Sequence, residues 1–191
     1  MKDLTESTIH SENLLNGKLL KVHRDQVSLP DGGESIREWI DHPGASAVVP
    51  LFEDGTTLLV RQYRYPPRRT FLEVPAGKLD GPDEDPRDVA ARELEEETGW
   101  RARSFDPLGS LYPCIGYSNE IIHFFLAEDL EKGRRELSEG EFMEVVPIGF
   151  DEAVELVRSG EIVDMKSAVA LLYAHAALAR RQVDEAATKL R

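Results

Sequence analysis

Residues 91–99, ARELEEETG, place Glu93, Glu95, Glu96 and Glu97 within little more than one helical turn. In a helix, Glu93 and Glu97 are neighbours at i,i+4, and Glu93 and Glu96 at i,i+3. Like charges at those spacings destabilise a helix by a few tenths of a kcal/mol per pair. The cluster also lies toward the C-terminal end, where the helix dipole disfavours carboxylates. A hard divalent cation removes both conflicts. Mg²⁺ takes oxygen ligands in octahedral array and keeps several waters and phosphate oxygens. Glu93, Glu96 and Glu97 share a face suited to such an ion, whereas Glu95 projects elsewhere and reads as solvated. The competing reading of the whole cluster is an acidic helix face in water.

The spacing predicts a helix over residues 85–98 to carry these groups. Asp85 suits the N-cap, Pro86 the first helical position, Asp88 the first turn and Gly99 the C-terminal stop. Val89, Ala90 and Leu94 form its apolar stripe. Before it, strand-like runs at 17–30 and 34–41 flank DGG and predict one hairpin; runs at 46–52 and 56–65 around EDG predict a second. Residues 70–77 read as a short strand ending at a turn. Further strands are expected at 108–113, 120–128 and 141–149, and helices at 151–160, capped by Asp151, and 164–182. Strands dominate the first two thirds and do not repeat as βαβ units. The expected class is α+β, an α/β/α sandwich with a mixed sheet.

The chain's 191 residues suit one globular domain, or one domain with a small appendage, and its hydrophobic fraction of 41% supports a normal core. A net charge of −13 argues against a broad nucleic-acid or anionic-membrane surface. It leaves room for a small phosphorylated ligand, since bound cations invert local charge. Cys114 has no second cysteine to pair with, the N-terminus lacks a basic start and apolar run, and no segment has the length of a membrane span. These point to a cytoplasmic protein. His10, His23, His42, His123 and His175 show no zinc-ligand spacing, and Ser118 in GYSN is not in a nucleophile elbow.

Residues 77–100, GKLDGPDEDPRDVAARELEEETGW, resemble the Nudix hydrolase signature G-x5-E-x7-R-E-U-x-E-E-x-G-U, where U is bulky and apolar. Glu84, Arg92, Glu93, Leu94, Glu96, Glu97, Gly99 and Trp100 keep the family's mutual spacing. Six residues rather than five separate Gly77 from Glu84; the extra one falls in the DGPD loop, and choosing Asp83 instead would break the spacing to Arg92. The resemblance implies metal-dependent cleavage of nucleoside diphosphates linked to another moiety, with Mg²⁺ or, in its place, Mn²⁺. It makes Glu93, Glu96 and Glu97 the metal ligands, with the Ala76 carbonyl a further oxygen. Arg92 and Glu84 would orient the carboxylates through charge-assisted hydrogen bonds.

Outside the box, LLVRQYRYP, FLEVPAGKLD, LYPCIGYSNE and GEIVDMKSAVALL are similar to the ADP-ribose and nucleoside-diphosphate-sugar pyrophosphatase branch. That branch implies a glutamate base or extra metal ligand in the loop at 136–146, Glu141 first and Glu139 second, against a solvated acidic loop. It implies diphosphate contact by Arg64, against a surface arginine. Arg37 and Trp39 could reach a phosphate and stack on a base across a dimer, against core or interface packing for Trp39. Glu120 could bind the terminal ribose or assist the metal, against a surface position. Homodimers are usual in the branch, so residues 1–45 are expected to be a dimerising β segment, 46–183 the catalytic domain and 184–191 a frayed tail.

The implied reaction takes ADP-ribose to AMP and ribose 5-phosphate, or cleaves a related nucleoside diphosphate sugar. Ile115 stands where many ADP-ribose enzymes carry proline, which opens the reading to a broader sugar-nucleotide range. Alternatives are a pyrophosphatase for FAD- or NADH-type dinucleotides, an RNA 5′-end hydrolase, which the acidic charge disfavours, and a non-catalytic nucleotide-sensing Nudix module, which the intact carboxylates disfavour.

Overall fold

The computed structural model describes residues 3–189 apart from 82 and 138. The elements run β1 (Ser7–Asn16), β2 (Lys21–Ser28), β3 (Glu34–Asp41), β4 (Ala45–Pro50), β5 (Thr56–Arg64), β6 (Arg69–Glu73), β7 (Ala76–Lys78), α1 (Pro86–Thr98), β8 (Trp100–Leu111), β9 (Ile122–Lys132), β10 (Met143–Gly149), α2 (Phe150–Arg158) and α3 (Met165–Lys189). They form three sheets, ordered β1-β2-β3, β10-β5-β6 and β7-β4-β9-β8. In the last, β4 and β9 run parallel and the other pairs antiparallel, giving the expected mixed sheet.

Strand β4 explains the layering. Its successive side chains point to opposite faces, and both faces are buried. Ala47 and Val49 pack with Phe124, Leu126, Val154, Leu171 and Ala174, under α2 and α3. Val48 packs with Ala90 and Leu94 of α1 and with Phe125 and Ala127. Helices therefore cover both faces of the sheet, the α/β/α sandwich expected. Leu94 is fully buried; burial of one such side chain contributes about 1.5–3 kcal/mol, enough to fix the face that α1 turns away from the core.

The first hairpin forms as expected, with Ser28 opposite Glu34 around the DGG turn. The second does not. β4 and β5 lie in different sheets and are joined by a single bridge between Leu51 and Thr57. A strand buried on both faces takes β7 and β9 as partners, which leaves β5 to pair with β6 and β10. Strand β1, a further strand beyond those expected, pairs with β2 and is exposed along its whole length.

Around α1 the local reading holds. The Asp85 side chain accepts the N–H of Arg87, Pro86 opens the helix, and Gly99 ends it at φ 77° with its N–H on the Glu95 carbonyl. Asp151 does not cap α2: the cap is Gly149, without a side-chain bond, and Asp151 sits inside the first turn. Helix α3 continues past Val183 to Lys189, and residues 190 and 191 lie outside the described part. No helix is long and apolar enough to cross a membrane among the described residues.

Candidate metal and diphosphate site

Helix α1 turns Arg92, Glu93, Glu96 and Glu97 into a cleft of about 400 Å³ that is also lined by Ala76, Gly77, Lys78 and Asp80, by Gln62 and Arg64 of β5, and by Glu141. Four separate parts of the sequence thus meet at one place. Glu97 is 7% exposed, and its Oε2 accepts the Ala76 N–H at 3.1 Å. The contact given to Ala76 is thus through its N–H. Glu93 lies against Gly77 so closely that a Cβ there would stand 2.0 Å from Glu93 Oε1. The signature glycine is a matter of clearance: Gly77 leaves the space that the Glu93 carboxylate fills.

Arg92 and Glu84 behave as a supporting pair. Arg92 Nη1 donates to Glu84 Oε1, the other Glu84 oxygen accepts the Asp80 N–H at 2.7 Å, and Arg92 also stands 3.6 Å from Glu93. Glu84, rather than Asp83, receives Arg92 despite the longer DGPD loop. These bonds hold Glu84 below the usual carboxylate range, the Asp80 N–H first and Arg92 second.

Glu93 and Glu97 go the other way. Burial pushes Glu93 up to about 7, with the charges of Glu96 and Glu141 adding and Arg92 opposing. Burial and the charge of Glu93 push Glu97 up to about 8, against the Ala76 N–H and Lys166. A buried carboxylate beside a half-buried one resists ionisation unless a cation joins them. Among the described residues, no three acidic, histidine or cysteine side chains close into a ready-made cage. An open cluster of hard oxygens still fits a Mg²⁺-type ion, which retains waters and phosphate oxygens, better than it would fit an ion needing a full protein cage.

Glu95 corrects the sequence reading. It is half-buried and paired rather than free in water: Oε2 pairs with Arg101 at 2.7 Å and Oε1 accepts the Arg134 N–H at 3.0 Å. It ties α1 to β8 and to the segment after β9. Beside it, Glu136 N–H donates to the Glu96 carbonyl, and Arg135 donates to the carbonyls of Glu97 and Met143, at 2.7 Å each. Arg135 thus supplies the positive charge that the last turn of α1 lacks. It also fixes the far end of the stretch that carries Glu141.

Other expected residues are distributed differently. Arg64 lines the cleft, its guanidinium clamped on Glu73 by two bonds of 2.7 Å. Glu139 is exposed and does not line the cleft. Arg37 pairs with Glu6, and Trp39 donates to Asp25 at 3.0 Å and stacks on His23. Glu120 stands 3.8 Å from His42. Within one chain Arg37, Trp39 and Glu120 do not line the cleft.

Four participants went unread in the sequence: Glu73, Lys166, Gln62 and Arg135. Glu73 had a signal, an acid inside the apolar run FLEVP, and it is 2% exposed. Arg135 had none, since its role depends on a contact 38 residues back along the chain.

Residues 41–166 match the NUDIX domain, and residues 6–40 match the nucleoside diphosphate sugar hydrolase N-terminal domain. The chain is 43% identical to an ADP-ribose pyrophosphatase of Bacillus subtilis over 91% of its own length and 94% of that protein's. It is 39% identical to a methanol dehydrogenase activator of Bacillus methanolicus, over 88% of this chain and 91% of that one. A crystal structure of an ADP compounds hydrolase shares the fold at a TM-score of 0.82, with 22% identity, covering 95% of this chain and 98% of that one. With its signature helix lining an acidic cleft and both sequence domains in place, the chain belongs to the Nudix hydrolases.

Proposed function

We propose that the chain hydrolyses the pyrophosphate bond of ADP-ribose, giving AMP and ribose 5-phosphate, or of a related nucleoside diphosphate sugar, with Mg²⁺ or Mn²⁺. The observation that carries this reading is the adjacent pair of half-buried Glu93 and buried Glu97, which lines one cleft together with Arg64 and Glu141. A bound divalent ion would neutralise phosphate oxygens, lower the pKa of water beside it and align attack on phosphorus. Glu93, Glu96 and Glu97 would hold that ion, and Arg92 with Glu84 keeps the Glu93 side of the cluster in place. Arg64 offers a planar fork of donors to the diphosphate. Glu141 is the acceptor for the proton of the attacking water, with Glu139 as a distant second because of its place outside the cleft. Hydrolysis by water needs no covalent enzyme intermediate.

The B. subtilis relative's name supports ADP-ribose, and the matched N-terminal domain supports the wider class of nucleoside diphosphate sugars. Ile115 is 84% exposed, so the residue replacing the expected proline is not committed to the core. Incubation with ADP-ribose, ADP-glucose, GDP-mannose, UDP-glucose, FAD and NADH, followed by product chromatography, tests the reading. At least one sugar nucleotide is expected to be cleaved, and excess EDTA to reduce turnover to background. Binding without cleavage in Mg²⁺ or Mn²⁺ would favour a sensing module instead, and cleavage of FAD or NADH alone would favour the dinucleotide reading.

We further propose a homodimer built on residues 1–45. Strand β1 is exposed on both faces, and Ile9, Leu14, Leu15, Leu19, Leu20 and Ile36 all stand at 40% exposure or more. Apolar side chains gathered on one small sheet and the turn between β1 and β2 mark an interaction surface. A dimer would let Arg37 and Trp39 act on the cleft of the other copy, the role they do not have within one chain. Light scattering during gel filtration is expected to give twice the 21.4 kDa chain mass; a single-chain mass at micromolar concentration would reject this.

A further inference from the structure

Behind Arg64 lies a chain of charges that the hydrolytic scheme does not use. Glu73, buried on β6, takes the Arg64 Nε and Nη2 donors, one on each oxygen. Its Oε2 also accepts from Lys166 Nζ on α3. Lys166 donates in turn to Asp164 Oδ2 at 2.7 Å. Asp164 accepts the N–H and the hydroxyl of Ser167, and the Ser167 hydroxyl oxygen accepts the Val74 N–H at 2.9 Å. The four charges alternate, Arg64, Glu73, Lys166, Asp164, and sum to zero. They tie β5, β6 and the first turn of α3 together, and they floor a second cavity of about 360 Å³ walled by Pro66, Pro67 and Phe71.

The alternation has an electrostatic meaning. A buried carboxylate with one cation neutralises that cation and leaves little field for a ligand. With Lys166 present, the charge of Glu73 is shared. Burial alone would raise Glu73, but Arg64 and Lys166 outweigh it and hold it below the usual carboxylate range. The clamp on Arg64 uses the Nε–Nη2 side of the fork and leaves the Nη1 side out of it. Lys166 therefore does two things at once. It fixes the orientation of Glu73, and it lessens the extent to which Glu73 cancels the charge of Arg64.

We infer that Lys166 is a positioning residue for the diphosphate, acting through Glu73 on the orientation and the uncancelled charge of Arg64. This rests on the diphosphate reading of the cleft. In the full-length enzyme with Mg²⁺ and its best substrate from the panel, Lys166→Gln is expected to raise KM about five- to twentyfold, with kcat within about twofold. Lys166→Arg is expected to stay near the wild type. In an Arg64→Gln background, Lys166→Gln is expected to raise KM no further, because the group it acts through is gone. An equal rise in both backgrounds, or no rise in either, would overturn the inference. Lys166→Met serves in the same cycle where Lys166→Gln does not fold. A second readout needs no substrate and separates failure of this inference from failure of the diphosphate reading. Solvent exchange of the Arg64 Nε–Hε proton, followed by nitrogen-15 NMR, is expected to quicken about fivefold or more in Lys166→Gln. Unchanged exchange would show that Lys166 does not hold Arg64.

Discussion

Glu97→Gln is expected to abolish turnover and at the same time to make the metal-free protein more stable at pH 8. Loss of a ligand on which charge stabilisation depends costs on the order of 10³-fold in rate. The stability gain follows from the raised pKa of Glu97, about 8 in the fold. A carboxylate raised by folding is the reverse of the salt-bridged case. The folded state holds a proton that the unfolded chain has released, so stability falls as pH rises from the unfolded value near 4.5 toward 8. Glutamine carries no charge at any pH and still offers an oxygen to the Ala76 N–H. The gain at pH 8 is on the order of 2–3 kcal/mol, discounted for the coupling to Glu93. Each kcal/mol moves the midpoint by about 2–4 °C in a domain of this size, so a rise of roughly 5–10 °C is expected in EDTA. Calorimetry at pH 8 and at pH 4 checks the sign, because the gain should vanish near pH 4, where both states are protonated. A variant less stable than the wild type at pH 8 would show that Glu97 is not a strained carboxylate.

Gly77→Ala is the second large effect, and it separates function from folding in another way. Gly77 is not among the glycines in the left-handed region, so alanine meets no backbone penalty. Its methyl would stand 2.0 Å from Glu93 Oε1 and 2.1 Å from Glu93 Cδ. The obstacle is the far end of a flexible side chain, which can swing away at little cost in stability. What moves, however, is a proposed metal ligand, and misplacement by about 1 Å costs on the order of 10²-fold in rate. The expected result is a fall in kcat of about 10²-fold or more with a thermal midpoint within about 3 °C of the wild type. Steady-state kinetics and differential scanning fluorimetry on the same preparation check both halves. Full activity would mean that Glu93 does not need its place against residue 77.

How much of this was legible in the sequence depended on range. Helix α1 was readable to its caps because Asp85, Pro86 and Gly99 act on neighbours a few residues away. The proposed metal-facing side of that helix was equally local, a matter of i,i+3 and i,i+4 spacing. The misreadings are non-local. Glu95 looked solvated because Arg101 and Arg134 reach it only through the fold. The EDG turn looked like a hairpin because turn chemistry says nothing about which sheet each flanking strand joins. β1 was unreadable because its pattern has no buried face to alternate against. The Arg64–Glu73–Lys166–Asp164 chain spans about a hundred residues of sequence, and beyond Arg64 only Glu73, an acid in an apolar strand, left a trace.

Strand β1 has a consequence for how copies of the chain meet. It is the outer strand of its sheet, so one side of its backbone offers unpaired N–H and C=O groups over ten residues. Such a border invites end-to-end growth of sheets into aggregates. Two irregularities, between Thr8 and His10 and between Asn13 and Leu15, break its register with β2. Bulges of this kind bend a border strand and spoil it as a template, and Glu12 adds a charge midway. Continuous hydrogen-bonded extension is thereby blocked, while the apolar side chains above and below the sheet remain presented. The sheet works as a plate to be covered rather than a border to be extended, the arrangement that the proposed homodimer requires.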